Sequence, residues 1–330
     1  MAVSDKVKAD FRISHLLPWA LRLPDSTYEC TDGHNHYSLT TKTHESTIGE
    51  DTTEGATFMV RAMTGQITEA SKTHIPGAML RYTEVTITFS KKIPESAVRQ
   101  ADIKDVLSLA HRFLNRFLDC YRLITRDSEV RPLTRAEFHQ VRGGRALSVW
   151  CNVKRSNGTG TLGAGVFFDE ENPIVIGNSK PLTESEVTEL RKHLRAGEIP
   201  ALAPLLLLNA EMYLRSGQNK LAVIEMNTAF DILVEQKAKA LLVHLGQTPS
   251  DVENELERKN TTAIVKTFLL PNIDPPSAND FPWDEWYTKY RPLRNRVVHD
   301  GYEPEVEEAQ NSLANLRKMC NFISSLQIVQ

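Results

Sequence analysis

The sequence predicts two domains: an α+β domain over residues 1–180, followed by an all-helical domain over residues 181–330. In the first part, apolar residues mostly alternate with polar ones, which is the period of half-buried strands. In the second part they recur at steps of three and four residues, which places them on one face of a helix. A chain of 330 residues also exceeds the size at which one core usually stops growing, about 250 to 300 residues, so two domains are expected.

Four stretches of the first part have the pattern of strands. The alternation is clearest over residues 85–89 (VTITF) and 147–153 (LSVWCNV), and further strands are predicted over 56–63 and 165–168. The stretch SNGTGTLG, over residues 156–163, is typical of a turn, so we expect a glycine-rich hairpin. A dinucleotide-binding loop with this glycine spacing would need a strand before it and a helix after it, whereas strands are predicted on both sides.

One long helix interrupts these strands. Its apolar residues follow helical spacing over about five turns: Val106, Ala110, Phe113, Phe117, Cys120 and Ile124. At the start of the second domain, Thr183 and Glu186 have the spacing of a capping box, which indicates that another helix begins there. Because this long helix lies among predicted strands, the first domain is expected to contain both α and β structure.

Five further helices are predicted after residue 200, each with an apolar stripe and a recognisable end. They span Ala201–Ser216, Asn219–His244, Pro249–Phe268, Trp283–His299 and Pro304–Leu326. Glycine accepts the left-handed conformation that closes many helices, and proline cannot continue one. The residues expected to end these helices include Gly217, Gly246, Pro271 and Gly301.

The composition indicates a soluble globular protein. The net charge is -3, whereas proteins that hold long stretches of nucleic acid usually carry a surplus of lysine and arginine, so any such contact should be local. The four cysteines include no CxxC pair, which disfavours a zinc ribbon or a disulfide framework. No apolar run is long enough to cross a bilayer and the N-terminus lacks a signal-peptide pattern, so we expect a cytoplasmic protein without a membrane partner.

The fourth predicted helix carries residues suited to phosphodiester chemistry. Asn295 and His299 are four residues apart and share a helix face, and the long side chain of Arg294 can reach the same edge. His299 lies in the last turn before Gly301, where the helix dipole favours a protonated imidazole. An arginine suits a phosphate and a histidine can carry protons near neutral pH, so this group is a candidate catalytic site.

The segment RNRVVH, residues 294–299, matches the Arg-polar-x-x-x-His signature of HEPN domains. Upstream, LRSGQNKLAVIEMNTAFDILVEQ, residues 214–236, is similar to the early helix pair of that family, with Asp231 where relatives often have a glutamate. Roughly the last 130 residues therefore resemble a HEPN domain. The resemblance implies a HEPN-like helical bundle and a metal-independent endoribonuclease without a cofactor. It also implies a homodimer whose two motif helices share one cleft over RNA.

In such a cleft, Arg294 would bind the phosphate and stabilise the transition state, and His299 would act as acid and base. Asn295 would orient these groups or the scissile phosphate. The structural alternative is that Arg294 and Arg296 pair with acidic residues of 303–307 while His299 caps the helix.

Further positive and aromatic side chains surround the motif. Lys289, Arg291 and Arg296 are expected to hold flanking RNA phosphates. The upstream aromatic residues have the spacing of a buried stripe, which favours core packing over base stacking: Trp283, Trp286, Tyr287 and Tyr290. In related toxins a tyrosine that can be modified lies two residues after the motif, whereas Tyr302 lies three residues after it.

The family setting implied by the resemblance is prokaryotic defence or toxin-like growth arrest, in which the N-terminal domain would sense a phage-derived or cellular trigger. Two alternatives stay open. One is a catalytically inactive HEPN-like module that dimerises and binds RNA or a nucleotide, and the other is a nucleotide-binding regulator centred on the N-terminal domain. The tripeptide at 34–36 (HNH) is expected in an exposed polar loop, since its surroundings fit neither a zinc site nor an HNH nuclease.

Overall fold

The chain forms an α+β unit followed by a mostly helical unit. The computed structural model describes residues 6–17, 20–47, 79–94, 103–135, 138, 148–155, 158–165, 181–272 and 281–326. Unit 1 comprises Met1–Pro200 and unit 2 comprises Ala201–Gln330. The division therefore follows residue 200, later than the predicted boundary after residue 180.

Unit 1 contains a six-stranded antiparallel sheet. Its strands are β1 (Lys6–Leu16), β2 (Ser26–Asp32), β3 (Asn35–Thr47), β4 (Met79–Pro94), β5 (Ser148–Arg155) and β6 (Gly158–Gly165). The strand order is β2-β3-β4-β1-β5-β6, and every neighbouring pair is antiparallel. The longest strand, β4, therefore joins the β2–β3 hairpin to β1.

The strand predictions are confirmed where the structure describes the chain. Val85, Ile87 and Phe89 are buried on one face of β4, and most of the predicted strand at 147–153 lies in β5. The stretch GTGTLG forms strand β6 itself, paired with β5, so its glycines lie in the hairpin's second strand rather than in its turn. The predicted strand at 56–63, and the part of 165–168 after Gly165, lie outside the described residues.

Helix α1 (Ile103–Thr125) packs its predicted apolar face on this sheet. The ring of Phe113 stacks on that of Tyr37, with centroids 3.9 Å apart. Helix α2 (Glu184–Ala196) begins with the predicted capping box and buries Val187, Leu190 and Leu194 in the same core. This burial assigns α2 to unit 1 and explains the later domain boundary.

Unit 2 is built around one long central helix. Its helices are α3 (Leu202–Arg215), α4 (Asn219–His244), α5 (Pro249–Leu256), α6 (Thr261–Ile264), α7 and α8 (Val306–Ser325). Helix α6 continues into a π turn, Val265–Leu269, and a short 3-10 turn, Leu270–Asn272. Helix α7 has three consecutive parts: Trp283–Glu285, a π turn at Trp286–Tyr290, and Arg291–His299.

The helix predictions for unit 2 are confirmed except at one interior position. The predicted helix Pro249–Phe268 is wrong as a single helix, because α5 ends before Asn260, whose side chain accepts a hydrogen bond from the backbone N–H of Ala263 and caps α6. Gly217, Gly246 and Gly301 have positive φ angles of 72°, 90° and 66°. Within the described residues, no helix combines the length and apolar character needed to cross a bilayer.

Candidate active site

Helix α7 carries the predicted motif, and its shape is set by Pro292. Proline has no backbone N–H and cannot continue the regular hydrogen-bond ladder of a helix. Here the turn before it is widened, because the N–H of Arg291 donates to the carbonyl of Trp286, five residues back. Such π turns are rare, and they often occur at functional sites. The regular segment Arg291–His299 follows directly, so the motif lies in the helical turns after the distortion.

The inner face of α7 is apolar. Trp283 and Trp286 are buried in the core of unit 2, as are Leu293 and Val297. The ring of Trp286 lies 5.1 Å from that of Phe230 on α4. The interpretation of the two tryptophans as core residues is thus confirmed, and they are not available to stack on bases. Their packing holds the motif helix firmly against α4.

The motif side chains lie on the remaining surface of α7. At about 100° per residue, Asn295 and His299 lie opposite the buried Leu293 and Val297, and Arg294 lies on one flank. His299 is exposed and Asn295 is half-buried. Among the described residues, neither of these two side chains has a hydrogen bond or an ion pair. Both polar groups are therefore free to contact a ligand.

Within the described part of the chain, Arg294 has one long-range partner. Its Nη2 lies 3.9 Å from Oδ2 of Asp231 on α4, and the two side chains are 38% and 36% exposed. The hydroxyl of Thr261 donates to the other carboxylate oxygen of Asp231 at 2.5 Å. Burial raises the pKa of Asp231, while the Thr261 hydrogen bond and the Arg294 charge act in the opposite direction. The carboxylate orients the guanidinium without enclosing it.

The other flank of α7 carries Arg296. Its guanidinium carbon lies 3.5 Å from the centre of the Tyr302 ring, a close cation–π contact. The Tyr302 hydroxyl donates to Oε2 of Glu308 at 2.8 Å, and Glu308 also caps the start of α8. The hydrogen bond to Glu308 raises the pKa of Tyr302. Stacking on the Tyr302 ring thus positions the guanidinium of Arg296, whose edge remains exposed to solvent.

The structural alternative predicted different partners for these arginines. Arg294 faces Asp231 rather than an acidic residue after the helix, and Arg296 stacks on a ring. Glu303 instead pairs with Lys220 at 3.0 Å. The described contacts therefore do not tie the motif arginines to the segment 303–307.

The two remaining predicted phosphate-binding residues lie at the π turn. Lys289 is exposed, with its Nζ 3.5 Å from Oε1 of Glu285, and Arg291 lies 5.3 Å from the ring centre of Tyr287. Lys266, on the neighbouring π turn, contacts the same ring at 4.6 Å. Sequence patterns did not single out Lys266, because its approach to Tyr287 depends on how the two distorted helices pack.

The tripeptide at 34–36 lies exposed at the tight turn between β2 and β3. Asn35 donates to the carbonyl of Asp32 at 3.2 Å, and Gly33 has a φ of 60°. These contacts are those of a hairpin turn. The expectation of an exposed polar loop agrees with this position.

Comparison of the chain with protein-family models, with curated proteins and with solved structures finds no match. The function therefore has to be argued from the side chains of α7 and their surroundings.

Proposed function

We propose that the chain is a metal-independent endoribonuclease of the HEPN type, with Arg294, Asn295 and His299 at a site shared by two copies in a homodimer. One observation carries this proposal: among the residues that the structure describes, Asn295 and His299 have no internal partner on the outer face of α7, and the neighbouring Arg294 has only a 3.9 Å ion pair. These two side chains can therefore bind a ligand without first losing a hydrogen bond within the described part of the chain.

The proposed reaction is an internal transesterification of RNA. The ribose 2′-hydroxyl attacks the phosphorus, a base removes its proton, and an acid protonates the departing 5′-oxygen. The products are a 2′,3′-cyclic phosphate and a free 5′-hydroxyl. Arg294 would stabilise the charge that develops on the phosphorane oxygens. His299 would transfer the protons, and Asn295 would orient the phosphate.

One copy offers one suitable histidine, whereas the reaction uses a base and an acid at once. Exposed apolar side chains near the motif support a second copy at this face: Leu221, Ile224 and Val298 are 42%, 38% and 46% exposed. Ile224 lies seven residues before Asp231 on α4, about two helical turns, so it shares a face of α4 with the partner of Arg294.

Positive charge on both flanks of α7 would hold the RNA chain. Arg296 lies on the flank opposite Arg294, and Lys289 and Arg291 precede the motif at the π turn. Because the net charge of the whole chain is -3, this cluster provides local rather than extended attraction for phosphates. A short stretch of RNA is therefore the expected substrate.

The test uses the full chain with a mixed-sequence RNA and the corresponding DNA in excess EDTA. We expect cleavage of the RNA only, with 2′,3′-cyclic phosphate ends. Arg294→Ala and His299→Ala should each lower the rate at least ~100-fold, the usual scale for losing a proton carrier or a charge stabiliser. Arg258→Ala and His244→Ala, at exposed positions of the same unit, are the matched controls and should keep full activity.

Intact RNA would overturn the proposal, and intact RNA that remains bound would support the catalytically inactive binding module instead. The dimer is tested separately by sedimentation of Val298→Asp, with Val243→Asp as the control because Val243 is a 51% exposed valine of α4. We expect the first variant alone to become monomeric and inactive. Full activity of a monomer would refute the shared site.

A further inference from the structure

Unit 1 contains a polar pocket that the proposed nuclease does not use. It has a volume of about 750 Å³, within the usual range for small-molecule sites. Residues from three separate elements line it: Asp32 at the end of β2, Lys91 on β4, and Arg112 and Arg116 on α1. Arg135, in the segment after α1, completes the positive side. We call this space the unit 1 pocket.

Part of the lining of the unit 1 pocket is an ion-pair cluster around one carboxylate. Asp32 contacts Nη1 of Arg116 at 2.6 Å and Nε of Arg112 at 2.9 Å. Arg116 is only 11% exposed and also donates to the backbone carbonyl of Gly197. Its charge is therefore committed to the protein. Arg116 acts as an anchor that fixes Asp32, which in turn fixes Arg112.

Three other cations of the lining have unused donors among the described contacts. Arg112 is 59% exposed and uses its Nε for Asp32, so its two terminal amino groups are available. Lys91 and Arg135 have no hydrogen bond or ion pair within the part of the chain that the structure describes. A guanidinium fixed at Nε presents its outer edge as a planar pair of donors, the geometry that matches a phosphate.

The carboxylates that also line the unit 1 pocket do not cancel this charge. Four lysine and arginine side chains line the unit 1 pocket against three carboxylates, and Asp32 is already engaged by two of the cations. Burial raises the pKa of Asp119 to about 6 despite the nearby Arg122. An anionic ligand is therefore favoured over a cationic one, and the carboxylates are placed to accept hydrogen bonds from its hydroxyl or amino groups.

We propose that the unit 1 pocket binds a small phosphorylated ligand of nucleotide size, with its phosphate held by Lys91, Arg112 and Arg135. Phosphate is favoured over a single carboxylate because three cations from three elements converge, and a phosphate offers oxygens in several directions. The residues of this pocket belong to unit 1 and do not include the motif residues of α7, so the inference does not depend on the nuclease proposal.

The test is isothermal titration of the full chain with ATP, AMP, ribose 5-phosphate, inorganic phosphate and adenosine. We expect at least one phosphorylated probe to bind with a single saturable site, and adenosine to bind more weakly than AMP. Arg112→Gln with Arg135→Gln should weaken the binding about tenfold or more, which is the scale of losing charge-assisted hydrogen bonds. Arg195→Gln, an exposed arginine of α2 outside the pocket, is the matched control.

Arg294→Ala distinguishes the unit 1 pocket from the motif on α7. Binding that persists in Arg294→Ala and falls in the Arg112 and Arg135 variant supports the pocket. Binding that falls only in Arg294→Ala would place the phosphate on α7 and overturn this inference. Equal binding by the pocket variant and the Arg195 control, or no binding of any phosphorylated probe, would overturn it as well. Circular dichroism of each variant checks that the fold is retained.

Discussion

The ion pair between Arg294 and Asp231 decides whether the arginine is a structural residue or is available to a phosphate. We predict that a double-mutant cycle with Arg294→Gln and Asp231→Asn gives a coupling free energy below about 1 kcal/mol. Asparagine keeps the shape of Asp231 and can still accept the hydrogen bond from Thr261, so the cycle isolates the charge interaction.

The magnitude follows from the distance and the exposure of the two groups. Two unit charges separated by the observed 3.9 Å interact by about 1 kcal/mol in water and about 4 kcal/mol at an effective dielectric constant of about 20. Because both side chains are more than one-third exposed, solvent screening and side-chain entropy bring the net value toward that of surface pairs, about 0.2 to 1 kcal/mol.

Urea unfolding monitored by tryptophan fluorescence measures this coupling. Trp283 and Trp286 are buried in unit 2, and replacing Trp19 and Trp150 with phenylalanine confines the signal to that unit. The exposed pair Lys239–Glu235, at 2.6 Å on α4, provides a surface reference measured in the same way. Both cycles should give similar values.

A coupling above about 2 kcal/mol for Arg294 and Asp231, with a small value for the reference pair, would refute this reasoning. The interaction would then be as strong as a buried ion pair, in which removal of one partner leaves the other charge uncompensated. Arg294 would in that case be held as a structural residue, and its assignment to the phosphate would be wrong even if His299 proved essential.

Three further predictions concern single positions. Gly301→Ala should destabilise unit 2 by about 1 kcal/mol in the same urea experiment, because φ is 66° and an added Cβ meets no atom within 4 Å, so backbone strain alone acts. The Asp119 carboxyl should titrate near pH 6, as measured by carbon NMR. Because the fold raises this pKa above its unfolded value, the protonated carboxyl stabilises the fold, and about 3 kcal/mol of unfolding free energy should be lost as the pH rises from about 3 to about 8. Asp119→Asn, which cannot ionise, is the reference. Glu308→Gln should lower the pKa of Tyr302, because the hydrogen bond to Glu308 raises that pKa. Ultraviolet titration of the phenol measures it, and an unchanged pKa would contradict this cause.

Periodicity predicted the helices better than the strands, since β1, β2 and β3 were not among the predicted strands. Helix α4 spans Asn219–His244 as the spacing of its apolar residues indicated, and the stripe of α8 from Ala309 to Ile323 is buried. These successes share one cause. The burial of a helix face depends on residues three and four apart, which are visible in the sequence.

Features that depend on distant parts of the chain were not predictable. The position of β1 between β4 and β5 requires pairing across many residues, and no local pattern encodes it. The contact between Arg294 and Asp231 likewise joins helices far apart in sequence. The π turn before Pro292 is a third case: the proline signals a disrupted ladder, but whether a helix kinks, ends or widens there depends on its packing.

The free side chains of α7 have an energetic consequence for the proposed dimer. Exposed polar groups cost nothing to leave unpaired, whereas the same groups buried without partners cost about 1 to 3 kcal/mol each. If two copies met over α7, two Arg294 guanidinium groups would approach one another, and their like charges would oppose the contact. Asp231 offsets only part of each arginine's charge, since it lies 3.9 Å away and is itself partly exposed. A phosphate between the two helices would supply both the missing hydrogen-bond acceptors and the counter-charge, so RNA would complete the interface rather than merely occupy it.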